Sequence, residues 1–120
     1  DLMFLVSDSM ATVGGPDQFD LYGRDVHLEH GRLINEEGNL AGAHVTQAQG
    51  VARLVNCVGA SLQDALRMAI TTPAEVVGQS HLASLQNQNT RNLVVMTKDL
   101  SQTHAFTDVF AQAMAHDAAQ

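Results

Sequence analysis

A short apolar run that ends in a carboxylate constrains this chain more than any other feature. Leu2–Val6 is an unbroken apolar segment, a pattern typical of a strand buried on both faces of a parallel sheet. Asp8 follows where such a strand ends. Ligands of parallel α/β folds bind beyond the carboxyl ends of the strands, so Asp8 is a candidate catalytic residue. An Asp that only starts a turn fits the same position, and the run alone leaves both interpretations open.

The position of this run predicts that the chain is part of something larger. It lies at the very start of a 120-residue sequence that contains few other candidate strands. A central parallel strand needs neighbours on both sides. We therefore expect the chain to be the carboxy-terminal piece of a larger protein.

Charge and hydropathy exclude two classes of partner. The chain has 13 acidic and 6 basic residues and a net charge of -7, whereas nucleic-acid binding requires clustered Lys and Arg. No apolar stretch approaches the roughly 18–20 residues that cross a bilayer, and no signal peptide is recognisable. We expect a cytoplasmic protein with no nucleic-acid or membrane partner.

The single cysteine gives no indication of catalysis. Cys57 is the only one in the sequence, so an internal disulfide is excluded. It falls among apolar residues of a predicted helix, and free cysteines of that kind are usually buried and inert. We expect a buried thiol rather than a nucleophile.

Start and stop signals divide the rest of the chain. An antiparallel hairpin is predicted around His30–Gly31 because apolar and polar residues alternate on both sides. Helix starts are predicted at the capping box of Thr46 with Gln49, at Ser61 with Asp64, and at Thr72–Pro73. A second strand over Leu93–Thr97 and a tail helix from Phe106 complete the prediction.

Four stretches taken in order resemble one family. They are VSDSMA at residues 6–11 leading into Gly14-Gly15, GRL at 31–33 followed by EEGNLAGA at 36–43, GVARLV at 50–55, and LRMA at 66–69 with TPA at 72–74. Together they resemble the carboxy-terminal third of the N-acetylglucosamine-6-phosphate deacetylases, of the amidohydrolase superfamily. Thr12 departs from the pattern, since many members have Pro there.

The resemblance implies an α/β fold, in which this chain is the carboxy-terminal fragment of a (β/α)8 metal-dependent hydrolase barrel with part of a small accessory β domain. Residues 1–79 would hold the last barrel strand, the hairpin and the following helices. Residues 80–104 would lead toward the accessory domain, and residues 105–120 would form a helical tail.

The resemblance also implies the chemistry. Such enzymes remove acetate from N-acetylglucosamine-6-phosphate, and Asp8 would be the acid that accepts a proton from metal-activated water and returns it to the departing amine. Ala41, Gly42 and Ala43 would line the sugar pocket, although a plain turn before Thr46 fits the same residues. The implied cofactor is a divalent metal, zinc or iron. The metal ligands of the family, a Glu and two His on earlier strands, have no counterpart here and would lie outside this chain. His44, His81, His104 and His116 are too dispersed to replace them.

The residues alone are also compatible with other functions. The chain could come from an N-acetylgalactosamine-6-phosphate deacetylase, from another amidohydrolase, or from a non-catalytic interaction module. For the enzyme, the resemblance implies a homo-oligomer of the complete protein. The 120 residues by themselves are expected to be inactive.

Overall fold

The computed structural model of the protein describes residues 3–117. Leu2 and residues 118–120, which belong to the predicted opening strand and tail, lie outside the described residues. The chain forms two compact units, one consisting of Val6–Gly50 and the other of the described residues on either side of that range. Helices and two small antiparallel sheets make the fold α/β. The barrel, the accessory domain and the division at residues 79 and 104 stay predictions.

The unit of residues 6–50 is built on a three-stranded antiparallel sheet. Its strands are β1 (Gln18–Leu21), β2 (Arg24–Glu29) and β3 (Arg32–Asn35). The hairpin predicted around His30–Gly31 is confirmed, with Glu29 opposite Arg32. Both turn residues have positive φ, 49° and 75°, as a two-residue turn of type I′ requires.

The core of this unit lies against one face of the sheet. Val26 of β2 and Leu33 of β3 are its fully buried large side chains. Because side chains alternate along a strand, their neighbours in sequence point the other way and are less buried. The sheet therefore supplies a fixed platform for the loops that precede and follow it.

The opening apolar run is not a strand in the described residues. Residues 3–8 have no paired strand, and the Leu5 amide instead donates to the carbonyl of Met68 at 2.9 Å. A parallel strand is held by ladders to its neighbours, but both sheets in the described part of the chain are antiparallel and are made by other segments. Over residues 3–6, the described part of the run, the prediction of a strand is therefore wrong for this structure.

The first helix, α1 (Gln47–Arg53), begins as predicted. The Gln49 amide donates to Thr46 Oγ1 at 3.1 Å, and the Thr46 amide donates to Gln49 Oε1 at 2.9 Å. These are the two reciprocal bonds of a capping box. A π-helical turn (Leu54–Val58) extends the helix, and Gly59 ends it with a φ of 81°.

Replacing Thr46 with Ala is expected to weaken the first turn of α1 by about 1 kcal/mol, because the Gln49 amide loses its acceptor. Amide hydrogen exchange of Gln49 should then be about fivefold faster. Thr46→Ser keeps the hydroxyl and should exchange at the wild-type rate. Equal rates in the Ala and Ser variants would contradict a capping role for this side chain.

The second helix also begins as predicted. α2 (Leu62–Leu66) is capped by Ser61, whose Oγ accepts from the Asp64 amide at 3.0 Å. A hydrogen bond from the Ser61 hydroxyl and a second one from Arg67 hold the pKa of the Asp64 carboxyl below its ordinary value.

The third helix begins at the predicted Thr72 with Pro73 in its first turn, but it is not separated from the helix before it. A π-helical turn (Arg67–Thr71) joins α2 directly to α3 (Thr72–Val76), and Thr71 has helical dihedrals with no side-chain cap. Pro73 has no amide, and its ring would crowd the carbonyl four residues earlier in a regular α-helix. The wider turn gives that ring space. Gly78 ends α3 as predicted, with a φ of 70°.

The thiol of Cys57 is exposed rather than buried, which corrects the prediction. Val58, expected on the buried face of the helix with Val51, is 73% exposed. The prediction assumed 3.6 residues per turn, whereas Leu54–Val58 forms a π-helical turn with more residues per turn. Within this turn Leu54 and Val55 stay half-buried, whereas Cys57 and Val58 are exposed.

The end of the chain follows the prediction. β4 (Val94–Met96) lies within the predicted strand and pairs with β5 (Thr103–Ala105). α4 (Phe106–Asp117) begins at the predicted Phe106. None of the helices in residues 3–117 has the length and hydropathy needed to cross a bilayer.

Candidate functional site

Asp8 has a backbone conformation that few residues adopt. Its φ is 48°, in the left-handed region that Asp tolerates better than most non-glycine residues. The side chain is exposed, and no hydrogen bond from another described residue reaches the carboxylate. Unusual backbone conformations of this kind cluster at functional sites, so Asp8 remains a candidate catalytic residue.

The residues after Asp8 are joined to the predicted sugar-pocket loop. Ser9 forms an isolated parallel bridge with Ala43, and the Met10 amide donates to the Ala43 carbonyl at 3.0 Å. The Ser9 hydroxyl donates to the carbonyl of Val45. The structure therefore brings together the two segments that the sequence singled out, although they are separated by more than thirty residues.

Gly42 lies against the side chain of Met10, which belongs to the segment after Asp8. Its φ is 141°, and a Cβ placed there would lie 2.6 Å from Cγ of Met10. The adjacent Ala41 amide donates to the carbonyl of Leu33 in β3 at 2.9 Å. Only a residue without a side chain fits this backbone and this contact. The loop of Ala41, Gly42 and Ala43 is thus anchored to the sheet on one side and to Met10 on the other.

A pair of polar side chains near Asp8 was not identified from the sequence. Thr12 Oγ1 lies 2.9 Å from Nδ1 of His44, and Thr12 is only 2% exposed. In the sequence, Thr12 is notable only as a departure from the family pattern, and His44 is one of several dispersed histidines. The position of His44 directly after the predicted pocket loop is a signal for this histidine, but it does not indicate Thr12 as its partner.

The described residues supply no metal-binding cluster of their own. Within residues 3–117, no three His, Cys, Asp or Glu side chains are grouped so that they could hold a metal ion. The side chain of His116 lies outside the described residues. Asp8 presents an exposed carboxylate at the surface.

The comparisons with known proteins point to one class, the deacetylases of N-acetylated amino-sugar phosphates. No protein-family model matches the sequence. The N-acetylglucosamine-6-phosphate deacetylase of Haemophilus influenzae is 30% identical over 101 residues, which are 81% of this chain and 26% of that protein. The N-acetylgalactosamine-6-phosphate deacetylase of Escherichia coli O157:H7 is 29% identical over 98 residues, which are 80% of this chain and 26% of that protein.

A solved structure gives the same result. The crystal structure of N-acetylglucosamine-6-phosphate deacetylase from Pasteurella multocida superposes with a TM-score of 0.69 at 30% identity, covering 86% of this chain and 28% of that one. The resemblance seen in the sequence is therefore confirmed. The chain spans about a quarter of the length of these relatives. The roles of Asp8, Ala41, Gly42 and Ala43 stay predictions.

Proposed function

We propose that this chain is part of a metal-dependent amidohydrolase that removes acetate from N-acetylglucosamine-6-phosphate and gives glucosamine-6-phosphate. The observation that carries the proposal is the contact between the segment after Asp8 and the loop of Ala41, Gly42 and Ala43. The similarity to deacetylases supports it over 81% of the chain.

The chemistry needs a group that moves a proton in two directions. Amide hydrolysis requires a nucleophile stronger than neutral water, which a divalent metal such as zinc or iron supplies when bound. Asp8 accepts the proton of the attacking water and then donates it to the amine nitrogen, because an amide anion is too basic to leave. The exposed carboxylate of Asp8, without a hydrogen-bond partner in the described chain, is available for both steps.

The small-residue loop would bind the sugar. Ala41 and Ala43 are only half-buried, and Gly42 has no side chain, so backbone groups of the loop can approach a ligand closely. The complete protein would supply the metal ligands and act in the cytoplasm as a homo-oligomer. The 120 residues alone would be inactive, since we assign no metal ligand to them.

A second candidate substrate is N-acetylgalactosamine-6-phosphate. It is favoured by the relative from Escherichia coli O157:H7, which has nearly the same identity and coverage as the relative from Haemophilus influenzae. The two substrates differ in the configuration of one sugar hydroxyl. No described residue is assigned to that hydroxyl, so measured turnover must decide between them.

The test is acetate release by the complete protein that contains this sequence. With zinc or iron supplied, we expect stoichiometric acetate and glucosamine-6-phosphate from N-acetylglucosamine-6-phosphate, with a kcat/KM at least about tenfold above that for the galactosamine form. The isolated 120-residue chain should release none. Absence of acetate from both substrates would contradict the proposal and favour a non-catalytic interaction module.

A further inference from the structure

Thr12 is buried in a loop whose other residues are not. It follows Asp8 by four positions and precedes Gly14 and Gly15, and it is the one fully buried residue of Asp8–Asp17. A buried hydroxyl without a partner is unfavourable. Its partner is Nδ1 of His44 at 2.9 Å.

The hydrogen bond between Thr12 and His44 can hold two segments of the chain in a fixed relative position. The Thr12 hydroxyl can donate to a neutral imidazole or accept from a protonated one, so the bond persists in either protonation state of His44. His44 immediately follows the small-residue loop, and Thr12 belongs to the segment that carries Asp8. The bond thus joins two segments that are 32 residues apart in sequence.

The other contacts between these segments involve the backbone. The Met10 amide bonds to the Ala43 carbonyl, and the Ser9 hydroxyl bonds to the Val45 carbonyl. Among the described residues, Thr12 with His44 is the hydrogen bond that joins the two segments through side chains at both ends. It can therefore be removed by substitution from either side.

We propose that Thr12 and His44 are positioning residues, which hold the carboxyl of Asp8 at a fixed place relative to the sugar-pocket loop. The proposal rests on the function proposed above. Neither side chain is assigned a contact with the substrate. Their effect is transmitted through the backbone of residues 8–12 and 41–44.

The physical reason is the sensitivity of proton transfer to distance. A misplacement of about 1 Å at a reacting group can lower the rate by about 10²-fold. A group that only positions the proton-transferring carboxyl lowers kcat, whereas loss of uniform substrate binding raises KM. Removing the Thr12–His44 bond is therefore expected to act mainly on kcat.

The experiment compares Thr12→Val and Thr12→Ser in the complete protein, loaded with zinc. Thr12→Val keeps the shape but removes the hydroxyl, and kcat for acetate release should fall about 10- to 100-fold with KM changed by less than about threefold. Thr12→Ser keeps the hydroxyl and should restore kcat to within about threefold of wild type.

A matched control separates positioning from loss of stability. Thr72 is the other buried threonine, 8% exposed, and it lies in the other compact unit. Thr72→Val removes a buried hydroxyl there and should leave kcat unchanged. His44→Leu removes the same bond from the other side and should match Thr12→Val, and the double variant should be no slower than either single one.

Four results would overturn the inference. These are wild-type kcat in folded Thr12→Val, equal losses in Thr12→Val and Thr12→Ser, strictly additive losses in the double variant, and an equal loss in Thr72→Val. If Thr12→Val does not fold, a wild-type kcat in His44→Leu would overturn the inference instead. Failure of the proposed function would look different, because the wild-type complete protein would then release no acetate from either amino-sugar phosphate.

Discussion

Asp8→Asn in the complete protein is expected to lower kcat for acetate release by at least about 10³-fold, within the range that a general acid–base group contributes. Asn has nearly the same shape but can neither accept the proton of water nor return it to the amine. Metal content should be unchanged, because Asp8 is not proposed as a ligand. The measurement is acetate release under saturating substrate, with metal content determined on the same preparation.

The matched control for this substitution is Asp17→Asn. Asp17 is exposed in the loop that follows Asp8, and the hydrogen bond that fixes it uses its backbone carbonyl, which accepts from the Leu28 amide at 2.7 Å. Asp17→Asn should keep wild-type turnover. Near-normal turnover in Asp8→Asn would refute the catalytic assignment and leave Asp8 as a residue that starts a turn.

Gly42→Ala is expected to destabilise the small-residue loop by about 1–3 kcal/mol and to raise KM for the amino-sugar phosphate at least about tenfold. The new Cβ would lie 2.6 Å from Cγ of Met10 and would occupy a φ of 141°, so it adds a steric clash to backbone strain. Relief of the clash moves either Met10 or the loop. Both shifts disturb the contact between this loop and the segment that carries Asp8.

Two companion variants separate the clash from the strain. Gly23→Ala introduces a side chain at a φ of 80° with no atom within 4 Å of the new Cβ, so it tests strain alone and should leave KM unchanged. Gly42→Ala combined with Met10→Ala removes the clashing side chain and should recover part of the lost affinity. An unchanged KM and unfolding temperature in Gly42→Ala would contradict the close packing of this loop.

Local signals in the sequence were sufficient to predict much of the fold. The capping box of Thr46 and Gln49, the cap at Ser61 and the turn at His30–Gly31 depend on residues within a few positions of one another. Their physical causes are hydrogen bonds and dihedral preferences of short segments. Such features form whether or not distant parts of the chain are present, which is why the structure confirms them.

The predictions that failed depended on neighbouring strands or on the geometry of the helix backbone. Leu2–Val6 was assigned as a strand from hydrophobicity alone, but a strand also requires neighbouring strands to pair with. Cys57 was placed on a buried face by assuming a regular α-helix through a segment that is π-helical. The helix start at Thr72 is confirmed, but the break expected before it is absent, because a π-helical turn continues the helix into this start.

The candidate site was only partly accessible from the sequence. Asp8 and the loop of Ala41, Gly42 and Ala43 were identified by resemblance, but their proximity is a long-range contact that no spacing rule predicts. The bond between Thr12 and His44 was missed for the same reason. Burial of a threonine hydroxyl depends on a partner 32 positions away, which becomes visible only in three dimensions.

The most direct test of the account is a crystal structure of the complete protein bound to glucosamine-6-phosphate. The account predicts that the Asp8 carboxyl lies about 2.6–3.2 Å from the amine nitrogen of the sugar, with Ala41–Ala43 against the same sugar ring. An amine bound far from Asp8, in a pocket to which Ala41–Ala43 contribute nothing, would contradict it.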